Sequence, residues 1–328
     1  MTQIIPPNAD CPYALFNASD REELAVVDRA EVRSVYEQHG ALLLRGYASS
    51  LEGFGKFASH FCPVAVQNES LNRAALGTDQ NIQSVNLGQQ PFPLHPELSR
   101  EPWKPDTAFF YCLEPPMSGG ATTVCDGVAI VRDLPHGIRD AMAARRIKYL
   151  APAGPELLHY WLGEVTPSAD LLASPPLHCP YQFEWVGDQL ARSFTRPLLH
   201  KPMFTEELAF GNFLLFARYL RGVRTFPLLD DGALVPDEWV AAVKAVSDRL
   251  TKPIHWQRGD LLMLDNSRFM HGRTAVEDAS SRLIATYFGY LNSVVLDQEE
   301  PVDPIWRKPG FRPPTLKVHT RHPVTASP

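Results

Sequence analysis

Apolar residues along this chain gather in short unbroken runs separated by turn-forming residues, and only a few stretches follow helical spacing. Ala41–Tyr47, Thr107–Leu113, Ala121–Cys125, Ile147–Leu150, Ile254–Trp256, Leu261–Leu264 and Leu283–Tyr290 are too short for buried helices, and Thr107–Leu113, Ala121–Cys125 and Leu283–Tyr290 are rich in β-branched and aromatic residues. All are predicted strands. Glu114–Gly120, with its prolines and paired glycines, is turn chemistry, and Tyr181–Leu190 reads as a hairpin around Gly187-Asp188.

Helical spacing is clearest in a few places. Asp28 is placed to cap a helix through Val32, Val35 and Tyr36 that Gly40 stops, and Leu51–Phe61 follows as a second. Helical stretches are predicted across Val128–Val131, Pro135–Arg145 and Glu206–Leu220. Asp237 is predicted to cap an amphipathic helix through Trp239, Val240, Val243, Val246 and Leu250. Cys62–Pro91 is polar and aperiodic, and most of 151–235 is equally hard to assign. After Asp297 the prolines exclude regular elements, which leaves a wrapping arm or a partly disordered tail.

Many short strands, a few flanking helices and 30 prolines predict a mainly β fold, a double-sheet jelly roll with inserted loops. One domain is expected over 1–328, with an N-terminal helix/strand module at 1–61, lid or insert segments at 62–94 and 151–235, and a proline-rich C-terminal arm at 298–328.

Composition adds exclusions. A net charge of -6 with no basic stripe argues against nucleic acid as a partner. The five cysteines have no C-x-x-C spacing, so neither a disulfide framework nor a zinc-thiolate site is expected. With no signal-peptide pattern at the start and no apolar run of membrane-spanning length, the expected setting is soluble and cytoplasmic, away from membranes.

Chemistry enters at Phe92-Pro93-Leu94-His95-Pro96-Glu97. In an extended segment residues i and i+2 point the same way, so His95 and Glu97 can offer a nitrogen and an oxygen to one metal ion. The third donor is sought where the apolar run Leu261–Leu264 ends in a polar turn that delivers His271. Two histidines and one carboxylate on one face, with other positions open, suit a mononuclear non-haem Fe(II) site. Alone, an H-x-E pair is also a common surface pattern, and the remaining nine histidines read as surface or hydrogen-bonded side chains. The pair gains weight from its company. Arg282 stands eleven residues after His271, at the head of an apolar strand where a guanidinium can grip a carboxylate, and Thr122 follows Gly119-Gly120 with a hydroxyl to donate.

The order H-x-E, then F-F-Y-C-L-E-P-P-M-S-G-G-A-T, then G-D-L-L-M-L-D-N-S-R-F-M-H-G-R with an arginine eleven beyond the histidine, resembles the Fe(II)/2-oxoglutarate dioxygenases of the taurine dioxygenase and clavaminate synthase-like superfamily, from about Ala41 to Asn292. The resemblance implies a double-stranded β-helix with a cupin-like core that forms a single catalytic domain. It implies His95, Glu97 and His271 as iron ligands, and Thr122 and Arg282 as the grip on the distal carboxylate of 2-oxoglutarate. Arg273 would fix the adjoining loop or the cosubstrate. The implied reaction consumes O2 and 2-oxoglutarate, releases succinate and CO2, and hydroxylates an unactivated C–H bond.

Two departures narrow the expectation. Glu97 stands where much of the superfamily has aspartate, which points to the clavaminate synthase-like branch and fills the position that halogenases leave to chloride. Thr286 stands where taurine dioxygenase has its sulfonate-binding arginine, which argues against a sulfonate. The expected substrate is a small amino acid or amino-acid-derived metabolite, free or carrier-tethered, with Asn86, Gln89 and Gln90 and the segment Pro152–Phe194 as lining and lid. The alternatives are desaturation, epoxidation or cyclisation by the same oxidant, a non-catalytic jelly-roll sensor, and a zinc hydrolase on the same ligands.

Overall fold

The computed structural model describes residues 3–18, 22–278, 282–294, 296 and 299–314. Among these residues the fold is mainly β. An eight-stranded sheet runs in the order Gln3–Ile5, Ala14–Asn17, Ala41–Arg45, Leu261–Asp265, Thr107–Glu114, Leu283–Tyr290 and Val64–Ala65, with Gln83–Ser84 also pairing to the Leu283–Tyr290 strand. A four-stranded sheet has the order Lys252–Pro253, Thr122–Asp126, Phe269–Arg273 and Phe92–His95. A third, also four-stranded, has the order Gln182–Val186, Gln189–Pro197, Arg146–Pro152 and Leu228–Leu229, and lies within the stretch that the sequence left largely unassigned.

The unbroken apolar runs are explained by burial on both faces of the large sheet. Along Thr107–Glu114, Ala108, Phe110 and Cys112 enter one core cluster with Leu94, Val124 and Met270 of the four-stranded sheet. Phe109 and Tyr111 point the other way, into a second cluster with Val32, Tyr36, Phe54 and Phe57 of the two N-terminal helices. A period of two therefore separates the faces, yet neither face needs polar residues. The Phe110 and His271 rings meet at 5.0 Å between centroids, which brings the large sheet against the smaller one beside the candidate ligands.

The Arg29–His39 helix is capped as predicted, with the Asp28 carboxylate accepting from Ala30 N and Glu31 N. Gly40 closes it at a φ of 73°, where a side chain would be strained and its Cβ would press on Arg268 and Phe269 at 3.0 Å. The helix at Leu51–Phe61 and the hairpin around Gly187-Asp188 also form.

Four expectations are corrected. The helix expected over Glu206–Leu220 is confined to Leu214–Tyr219. Ahead of it, Ala209 and His200 exchange backbone hydrogen bonds, and the Asn212 side chain takes the Leu214 N–H at 3.0 Å, so this stretch is held as a turn. Asp237 is the first residue of its helix and Pro236 is the cap; the carboxylate instead serves Arg218 and Arg224 at 2.7 and 2.5 Å. Ile254–Trp256 is not a strand: the strand ends at Pro253, Ile254 N makes one further bond to Thr122 O, and the chain then turns so that the Trp256 indole meets Thr122. In the arm, Ile305–Arg307 forms a short 3-10 turn entered from Pro304 and held by Arg307, which forks onto Asp106 at 2.8 and 2.7 Å. The remainder of the expected arm, residues 298 and 315–328, lies outside the described residues.

Candidate metal centre

His271 and His95 are direct antiparallel partners across adjacent strands, so their side chains leave the sheet on the same face. Their ring centroids lie 4.6 Å apart. Glu97 follows one proline later, where the strand has ended and Leu98 takes a φ of 50°, the one non-glycine residue with positive φ among those described. That turn folds the carboxylate back toward the histidines. One ligand atom from each of His95, Glu97 and His271 lies within 4.8 Å of the others.

The backbone of this turn is clamped from the turn that leads into the His271 strand, Phe269–Arg273. Asn266 accepts from Glu97 N at 2.7 Å and donates to Glu97 O at 3.0 Å and Pro105 O at 2.8 Å. Such reciprocal amide bonding fixes Glu97 more tightly than the turn alone would.

Protonation suits metal binding. His95 Nδ1 lies 2.8 Å from the Pro93 carbonyl, which can only accept, so Nδ1 carries the proton and Nε2 keeps its lone pair. Burial holds both rings neutral, pushing His95 down and His271 down to about 3. Burial pushes the Glu97 carboxyl up, but Arg73, the two histidines and Asn68 outweigh it and hold it below the ordinary carboxylate range. Because the histidines are neutral at pH 7, Arg73 is the partner whose charge counts. The buried His271 Nδ1 has no hydrogen-bond partner among the described residues. Two neutral imidazoles and one ionised carboxylate form a donor set that fits a divalent iron ion.

Beside this group the structure assembles the residues expected to hold a carboxylate. Thr122 pairs across the sheet with Arg273 and is buried, with its oxygen accepting the Trp256 indole N–H at 3.0 Å, which leaves its own O–H to donate. Arg282 Nε donates to Gly120 O at 2.7 Å, and a Cβ on Gly120 would meet Arg282 Cδ at 3.0 Å. Burial pushes the Arg282 guanidinium down to about 10, and neighbouring Arg273 pushes the same way. Two guanidinium groups confined together favour an anion nearby.

The remaining predicted residues divide. Arg273 spends its two NH groups on Asn86 O at 2.6 Å and Gln90 O at 2.5 Å while stacking on Phe92, so it ties down the loop before His95. Asn86 is drawn to the site by its side chain, which accepts from Arg73 at 3.1 Å. Gln89 and Gln90 are exposed and contribute backbone carbonyls, to Val276 N and Arg273. From the inserted stretch, Phe216 packs edge-on to His95 with centroids 4.8 Å apart.

Arg73 and Asn68 were not identified from sequence. Arg73 donates to Glu97 Oε2 at 3.0 Å and Asn68 to Oε1 at 2.5 Å. The available signal was that Arg73 is the one Lys or Arg in the polar stretch 62–91. Arg73 also donates to the Thr286 hydroxyl at 3.2 Å. A guanidinium therefore stands beside Thr286, supplied from the polar stretch 62–91 and committed to Glu97, Asn86 and Thr286.

A sequence model of the family described as "Taurine catabolism dioxygenase TauD, TfdA family" matches residues 9–287. No curated protein matches the chain. Among solved structures, a taurine dioxygenase from Burkholderia xenovorans aligns at 13% identity over 90% of this chain and 91% of that one, with a TM-score of 0.57. The PvcB protein from Pseudomonas aeruginosa aligns at 14% identity over 88% and 91%, with a TM-score of 0.56. AAD-2, in complex with Mn(II) and N-oxalylglycine, aligns at 14% identity over 90% and 100%, with a TM-score of 0.55. At such identities these likenesses establish a common fold.

Proposed function

The chain belongs to the TauD/TfdA family and is an Fe(II)/2-oxoglutarate-dependent dioxygenase, and from that premise we propose that His95, Glu97 and His271 hold the iron. The observation that carries this reading is the cross-strand pairing of His95 with His271, with Glu97 folded back so that all three donors converge within 4.8 Å. When bound, Fe(II), 2-oxoglutarate and O2 supply the oxidation and leave succinate and CO2.

The chain's own groups do the rest. The Pro93 carbonyl keeps the His95 proton on Nδ1 and turns Nε2 inward. Asn266 fixes the Glu97 backbone, while Arg73 and Asn68 hold its two oxygens. Thr122 and Arg282 receive the distal carboxylate of 2-oxoglutarate, in a place whose crowded positive charge supports an anion. Arg273 contributes by holding the loop at Asn86 and Gln90. Phe110 and Phe216, which contact His271 and His95, limit water around the metal.

The two packed sheets support a double-stranded β-helix built as one catalytic domain over 1–328, with 62–94 and 151–235 as the segments that wall the site. Among the described residues no helix is long and apolar enough to cross a membrane. The reaction we favour is hydroxylation of an unactivated C–H bond in an amino-acid-like small molecule, supported by Glu97 in place of aspartate, as in the clavaminate synthase-like branch. A panel of free amino acids and their carrier-tethered forms, read by succinate release and product mass, tests it. A gain of one oxygen atom in an amino-acid product supports the reading. Turnover confined to substrates without an amino-acid moiety, or loss of two hydrogens, would overturn the proposed substrate or reaction.

A further inference from the structure

Arg73 lies 24 residues before Glu97 in sequence, in the polar stretch 62–91, yet its guanidinium is among the most enclosed charges of the molecule, with its side chain 5% exposed. Each of its three nitrogens meets a different part of the site. One NH2 group donates to Glu97 Oε2 at 3.0 Å, the other to Thr286 Oγ1 at 3.2 Å, and Nε to Asn86 Oδ1 at 3.1 Å. Its flat face lies over Phe288, 5.1 Å from the ring centroid. Oε2 is also the carboxylate oxygen nearest His271 Nε2, at 3.7 Å, so Arg73 grips the oxygen that faces the other donors.

The contacts continue beyond Asn86. The Asn86 carbonyl accepts from Arg273, and Arg273 pairs across the sheet with Thr122. A continuous run of hydrogen bonds and strand pairing thus joins Glu97 to the residues proposed for the cosubstrate. From this arrangement we infer that Arg73 is a positioning residue, which aims Glu97 at the metal and locks it to the cosubstrate wall. The inference rests on the metal-centre reading above.

The physical case is one of valence and rotamer. A carboxylate has roughly four lone-pair directions. Asn68 takes one on Oε1 and Arg73 one on Oε2, which fixes the plane of the group and leaves a direction on Oε2 for the cation. A lysine reaches one of these acceptors at a time, whereas the planar fork reaches three. A guanidinium also repels a divalent cation, so the net effect on affinity has a sign that experiment can read.

The test is Mn(II) binding to the metal-free full-length chain, followed by the electron paramagnetic resonance signal of free Mn(II), with folding checked by circular dichroism. Arg73→Gln is expected to weaken binding about 10- to 100-fold, the usual effect of removing a group that orients a metal ligand. Arg73→Lys, which keeps the buried charge and so guards against a variant that does not fold, is expected to lose at least about 5-fold on the same grounds. Ser84→Ala removes a tether of the same loop, the bond from Ala74 N at 3.0 Å, without touching Glu97, and is expected to bind within about 3-fold of wild type. Unchanged or tighter binding in both Arg73 variants, or equal weakening in Ser84→Ala, would overturn the assignment. Undiminished Mn(II) binding in His271→Ala would instead overturn the metal-centre reading, and the inference with it.

Discussion

Asn266 and Glu97 are joined through the Glu97 backbone, with one side-chain amide accepting the Glu97 N–H at 2.7 Å and donating to the Glu97 carbonyl at 3.0 Å. They are 169 residues apart in sequence. The pairing makes the turn that ends in His271 the scaffold for the turn that carries Glu97, so the two halves of the metal site are set by one side chain.

Replacing Asn266 with alanine leaves the Glu97 N–H, the Glu97 carbonyl and the Pro105 carbonyl without their buried partner. Each such loss costs about 1–3 kcal/mol. Asn266→Ala should therefore lower the stability of the metal-free protein by roughly 3 kcal/mol or more in a denaturant titration, and weaken Mn(II) binding as well. A variant that matched wild type in both would mean that Pro96 and Leu98 alone determine the turn.

Arg282 is predicted to act on the cosubstrate and not on the metal. Arg282→Ala should raise the apparent KM for 2-oxoglutarate by about 10-fold or more, the cost of one charge-assisted grip of about 1.5–3 kcal/mol, while Mn(II) affinity stays near wild type. Steady-state kinetics at saturating substrate, with succinate as the readout, separates the two. An unchanged KM would move the anchor to another cation.

Acid should destabilise the metal-free protein through its buried histidines. Burial pushes His200 down to about 3, and Lys104 adds to the effect although the bond to Ser267 O opposes it. A histidine whose folded pKa lies below its unfolded value near 6.5 contributes fully above 6.5, and that contribution is lost as pH falls toward 3. Burial raises Asp265 to about 6, and this group works in the other sense: its contribution is present at low pH and lost as pH rises through 6. The two effects oppose each other between about pH 3.9 and 6, and only the histidine effect continues below, so melting temperature should fall as pH drops from about 4 to about 3. His200→Gln should flatten that fall by up to about 1.4 kcal/mol per pH unit. An identical slope in the variant would show that His200 takes up its proton without cost in the fold.

The parts of the site legible in the sequence are those with short-range patterns. His95 and Glu97 are two residues apart on extended chain, and His271 follows an unbroken apolar run that could only be a buried strand. Strand existence was legible because burial on both faces leaves a continuous apolar signal. Arg73 carried no such pattern, since its three partners lie 13, 24 and 213 residues away and only the closed fold brings them together. Element ends failed for a related reason. Asp237 reads as a cap until tertiary structure offers it Arg218 and Arg224, and the helix expected from Glu206 is pre-empted by the pairing of Ala209 with His200. The third sheet, within 151–235, depends on pairing between segments whose own periodicity is weak.

The central claim is that His95, Glu97 and His271 form the iron site, and an anaerobic titration tests it most directly. Fe(II) and 2-oxoglutarate added together to the wild-type protein should give a visible metal-to-ligand charge-transfer band, and His95→Ala and His271→Ala, each confirmed as folded, should lose it. A band of wild-type intensity in either variant would contradict the assignment.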